Sequence, residues 1–207
     1  MQVTKKQTIS ETFSIYFEKR MAKILLLGII SGFPWVLIGS SLSLWLKEDG
    51  LSRSTIGWAG LIFAVYAFNY LWAPIVDRVN KFSQIIGFIL ILFALVLPMN
   101  SLFSGVEFKL SYYYIFRSLV FILLGGLFLK TNLFSGLDRI SAHLGHRRTW
   151  IVSMQFIILI SLICWSFVNP TANLALVITI GLIIAVASAT QDITVDALRI
   201  EQIGKNE

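Results

Sequence analysis

Charge is scarce in this chain. Only 14% of its 207 residues are charged, whereas a soluble domain carries about a quarter. Cysteine occurs once, histidine twice and proline four times. The lone Cys164 excludes an internal disulfide and, inside an apolar run, reads as a small core or lipid-facing residue. His143 and His146 lie in a basic loop with no carboxylate or thiol at ligand spacing, so no metal site is expected. No G-x-x-x-x-G-K-[ST] loop is present, which argues against an ATPase of the chain's own, and no cofactor is expected. The net charge of +6 does not indicate a nucleic-acid partner, because the basic residues are scattered between apolar runs and form no continuous patch.

What is abundant is apolar sequence. The chain is 57% hydrophobic, with mean hydropathy +0.79. The excess falls in runs of roughly 20 residues, the length that crosses a bilayer core. An all-α polytopic transmembrane bundle is therefore expected, with membrane lipid as its solvent. Six spans are predicted, at about 24–46, 55–76, 82–103, 112–130, 151–168 and from 174 into the segment SATQDITVDALRIE (188–201). The run 24–46 is too long for the h-region of a cleavable signal peptide, and no A-x-A-like site follows it. Residues 1–23 form a basic tail, whose Phe13, Phe17 and Met21 spacing also suits a short surface helix.

Thirteen of the lysines and arginines fall on one side of this topology and three on the other, with Arg117 near the poorer side. The bias predicts both termini in the cytoplasm.

Several residues are costly or unusual where they stand. Asp192 and Asp196 follow an apolar run one helical turn apart, and Arg199 shares their face if the helix continues. Carboxylates at membrane depth are seldom kept without a use, so both are candidate proton-coupling groups. Trp35, Ser40 and Ser41 in the first span, with Asn69 and Tyr70 in the second, put polar atoms where a cavity could lie. Pro34 predicts a kink. Gly28 and Gly32, and the stripe Gly181, Ala185 and Ala189, read as close helix-packing surfaces.

Four strings in order, LLLGIISGFPWVLIGSSLSLWL (25–46), LWAPIVDR (71–78), LGHRRTW (144–150) and SATQDITVDALRIE, together resemble the AmpG muropeptide permeases of the major facilitator superfamily. The acetyl-coenzyme A transporters are distant relatives of these. The resemblance implies a secondary, proton-coupled importer of muropeptides for cell-wall recycling, in the bacterial inner membrane. It divides the chain into the tail 1–23, a first hairpin 24–78, an inserted two-span segment 79–143, and a second hairpin 144–207. Such a chain is a truncated or split N-terminal portion with a partial major-facilitator fold, whose partner is a missing C-terminal half or second chain.

The resemblance further implies a cytoplasmic charged latch formed by Arg147 and Arg148 with one of two Asp-Arg pairs, Asp77–Arg78 or Asp138–Arg139. It also makes Gln191 a substrate-bonding candidate. Two other functions stay open: transport of an acyl-nucleotide or other small solute, and a non-transporting fragment or assembly partner.

Overall fold

The computed structural model describes residues 17, 19–96, 112–131 and 135–203, and every regular element among them is helical. Residues 1–16, 18, 97–111, 132–134 and 204–207, which include most of the basic tail and the end of the third expected span, lie outside the described residues.

The first span is not a uniform helix. Helix α1 (Lys19–Val36) passes through a π-helical turn, Leu37–Leu42, into α2 (Ser43–Glu48). Pro34 sits just before the π turn. Two hydroxyls donate to nearby carbonyls around it: Ser40 Oγ to Val36 O at 2.7 Å and Ser43 Oγ to Gly39 O at 3.1 Å. Side-chain hydroxyls of this kind help an irregular helix survive at membrane depth.

The second span is more broken still. Ser52 caps α3 (Arg53–Ala59), accepting from Thr55 N at 3.1 Å. A 3₁₀ turn (Gly60–Phe63), α4 (Ala64–Ala67), a second 3₁₀ turn (Asn69–Leu71) and α5 (Ala73–Arg78) follow. Gly57, Gly60, Asn69 and Pro74 are poor helix-interior residues, which accounts for the interruptions.

Next come α6 (Phe82–Val96), α7 (Tyr112–Lys130), α8 (Ser135–Leu144), α9 (His146–Trp165) and α10 (Leu174–Ile203). Four described segments are long and apolar enough to cross a membrane: Met21–Glu48, Arg53–Leu71, His146–Trp165 and Leu174–Glu201. The other two expected spans correspond to α7 and to α6, whose apolar part, Phe82–Leu95, is shorter.

α6 and α7 pack tightly on each other. A Cβ built on Gly87 would stand 2.6 Å from the carbonyl oxygen of Gly125, and one on Gly125 would stand 2.6 Å from that of Gly87. Only glycine at both positions permits this approach. Phe93 and Phe121 meet edge to face beside it.

α10 is the central strut. It packs along α9 and also touches α1, α4, α5 and α6. Val177, Ile178, Ile184, Ala185 and Ala189 on it are buried. The α9–α10 turn is fixed by Asn169 Oδ1, which accepts from Thr171 N and Oγ1. Two tryptophans pin the ends of α9. Trp165 donates to Val177 O at 3.0 Å and Trp150 to Val79 O at 2.9 Å.

Candidate functional site

Two polar constellations stand out. The first lies where α10 meets α1 and the broken second span. Ser31 of α1 donates a short hydrogen bond to Asp192 of α10. Trp72 Nε1 donates to Thr190 Oγ1 at 3.1 Å. Between these contacts, Gln191 is fully buried, and neither its amide nitrogen nor its amide oxygen has a hydrogen-bond partner. The Ser188 and Tyr66 hydroxyls are also buried without a hydrogen bond of standard geometry among the described residues. A buried amide without partners costs stability, so this concentration of unpaired polar atoms on one helical turn marks a place for water or a polar ligand.

Asp192 and Asp196 differ sharply. Asp192 is partly buried and held by Ser31 from another helix. Asp196 is exposed and pairs with Arg199 on its own helix at 3.2 Å. The Arg199 guanidinium also reaches across to α1, where a Cβ on Gly28 would stand 3.0 Å from it. Gly28 thus makes room for a side chain, whereas Gly32 has nothing within contact distance; the expected backbone-to-backbone packing surface is not what these two glycines form among the described residues. Gly181 lies against the side chains of Ile62 and Trp165.

The remaining cavity candidates are scattered. Trp35 is exposed and meets Phe63 edge to face. Ser40, Ser41 and Tyr70 are exposed, and Asn69 is half-buried in its 3₁₀ turn. The structure does not bring these five into one site with Gln191.

The second constellation is charged. Arg147, at the start of α9, bonds Asp77 at 2.5 Å and Glu201 at 3.2 Å. It therefore joins the end of the first hairpin to the end of α10. Of the two Asp-Arg pairs, it is Asp77 that meets Arg147. Asp138 instead caps α6, accepting from Ser83 N at 3.0 Å and from Ser83 Oγ at 3.2 Å. Arg78, Arg139 and Arg148 are exposed.

The turn that aims Arg147 is Gly145, whose φ of 82° only glycine adopts comfortably. Behind it, Trp150 is wholly buried and packs edge to face on Phe88.

Sequence reasoning passed over Ser31, Tyr66, Ser188 and Glu201. Ser31 was detectable: it lies between Gly28 and Gly32 on a small-polar face at helical spacing.

Comparison with known proteins gives these residues a context. No family model matches the chain. No solved structure matches it either. Among curated proteins it is 22% identical to the anhydromuropeptide permease of Escherichia coli K12, over 96% of this chain and 28% of that protein. It is 25% identical to putative transporter AmpG 4 of Rickettsia felis, over 91% of this chain and 32% of that protein. It is 27% identical to putative transporter AmpG 1 of Rickettsia bellii, over 90% and 32%. The chain thus spans under a third of the length of these relatives. Along about nine tenths of its own length, this membrane protein is similar to proteins named AmpG or anhydromuropeptide permease.

Proposed function

We propose that the chain is a portion of a proton-coupled importer of muropeptides in the bacterial inner membrane, with Asp192 as the coupling group. The observation that carries this reading is the unpartnered, fully buried Gln191 beside the Asp192–Ser31 bond, at the crossing of α10 with an interrupted span. Broken helices and intramembrane carboxylates are where transporters place coupling ions and substrate.

Arg147 supplies the other half of the mechanism. Holding Asp77 and Glu201, it latches the cytoplasmic ends of both hairpins in one state and releases them in another. Residues 79–143 are an insertion between the two hairpins, and the substrate cavity is completed by a further portion of the transporter. Trp35, Ser40, Ser41, Asn69 and Tyr70 face that portion in the assembled protein. The short share of each relative that the chain spans supports the same division.

The test is uptake of a labelled anhydro-muropeptide in cells that lack their own permease and express this chain with the C-terminal part of an AmpG permease. Asp192→Asn keeps the shape and removes the titrating proton. It should abolish pH-driven uptake while leaving membrane insertion unchanged, and Asp196→Asn should leave measurable uptake. Normal transport by Asp192→Asn at every pH would place the coupling site elsewhere. Uptake by neither variant nor parent would favour an assembly role without transport.

A further inference from the structure

We propose that the α6–α9 face is a binding site for an anionic phospholipid, with the headgroup at Arg148 and one acyl chain on each side of the ridge Val152–Phe156.

Two apolar grooves flank that ridge. One, of about 410 Å³, lies between Phe82, Ile85, Ile86 and Ile89 of α6 and Val152, Phe156 and Ile157 of α9. The Ser153 hydroxyl at its wall is committed to Thr149 O at 2.8 Å, so it offers the groove no polar group. The other, of about 470 Å³, opens on the opposite side of the same ridge, where Phe33 of α1 faces Val152, Phe156 and Leu159; Gln155 is its one polar lining residue. Both volumes fall in the roughly 300–1,000 Å³ range of ligand clefts.

The charge pattern identifies the occupant. Arg148, Val152 and Phe156 stand four residues apart on α9, so the arginine lies one turn below the ridge on the same face. Arg148 is exposed and makes no ion pair with any described residue, whereas the neighbouring Arg147 is committed to Asp77 and Glu201. The acids at this end already have partners: Asp138 accepts from Ser83, and Asp77 and Glu201 accept from Arg147. Two apolar grooves side by side above the Arg148 guanidinium match the two chains and single phosphate of a diacyl phospholipid. A zwitterionic lipid carries a cation beside its phosphate and so gains less from the arginine.

The experiment uses the full chain in detergent. Retained lipid is counted by native mass spectrometry after exposure to phosphatidylglycerol or to phosphatidylcholine of the same acyl composition. Phosphatidylglycerol should be retained about fivefold better, the ratio expected of one basic residue near the headgroup. Arg148→Gln should erase the preference, and Arg78→Gln, an exposed cation off the ridge, should keep it. A second readout places the chains: a tryptophan introduced as Phe156→Trp should be quenched more by phosphatidylglycerol with brominated acyl chains than by the matching phosphatidylcholine. Equal retention of the two lipids, a preference that survives Arg148→Gln, or equal quenching would overturn the site and leave Arg148 as an orienting charge only.

Discussion

Arg147 and Arg148 are neighbours in sequence and opposite in circumstance. One bridges two carboxylates from different hairpins and the other is exposed, with no ion pair to any described residue. The Asp77 side chain is 58% exposed, so its bond to Arg147 is screened and worth roughly 0.2–1 kcal/mol. A double-mutant cycle with Asp77→Asn and Arg147→Gln, read by thermal denaturation in detergent, should return a coupling within that range. Coupling of several kcal/mol would mean the pair is a structural cornerstone and not a releasable latch. Gly145 offers a sharper stability effect. Its φ of 82° is strained for any residue with a Cβ, so Gly145→Ala should lower stability by about 1 kcal/mol or more. A Tm unchanged from the parent would show that the turn relaxes. The paired strings around Asp77 and Arg147 were legible in sequence because charges between apolar runs are conspicuous. The choice between Asp77 and Asp138 was not. Each precedes an arginine, and only the fold shows that Asp138 is spent on the N-terminus of α6.

At the scale of elements, apolar runs located the long helices but missed α8, which holds His143 in the segment read as a basic loop, and could not show the interruptions. Pro34 announced a kink, yet the π turn that follows depends on how Gly39 fits beneath Phe63, a contact 24 residues away in sequence: a Cβ there would stand 2.9 Å from the Phe63 ring. The second span read as one helix because its apolar residues are continuous, whereas Gly60 and Asn69 allow 3₁₀ turns that a hydropathy window averages away. Unpaired Gln191 was visible only as a polar residue beside Asp192; its burial depends on the helices packed around it. The α6–α7 contact gives a direct test of element packing. Gly87→Ala pushes a methyl group against the Gly125 carbonyl, while Gly126→Ala meets nothing within contact distance. The first should cost on the order of 1–3 kcal/mol through overpacking and the second should be neutral, both read as Tm in detergent. Equal Tm values for the two variants would mean the hairpin is looser than its glycines indicate.

Among the described residues, the ion pairs that link different helices gather on one face of the molecule. Arg147 joins the end of α5, the start of α9 and the end of α10. Asp138 ties α8 to the start of α6 at Ser83. Ends that touch must lie on the same side of the membrane, so an even number of crossings separates Asp77 from Arg147 and Arg147 from Glu201. The lysine and arginine bias predicts that this side is the cytoplasm. A cysteine at Ala142, an exposed position on α8, in a background with Cys164→Ser, should then resist an impermeant thiol reagent in intact cells and react once the membrane is opened. The same reporter tests the segment 79–143. If α6 and α7 both cross, removing residues 82–130 takes out two crossings, so the reporter should remain inside. Removing 82–103 alone takes out one, so the reporter should become accessible and the Asp77–Arg147 bond could not form. The longer deletion also strips Phe88 from Trp150, so it should lower Tm even though orientation holds. If the reporter were accessible after the longer deletion and protected after the shorter one, α6 and α7 would not both cross the membrane, and α6 would lie as a half-buried helix against α9.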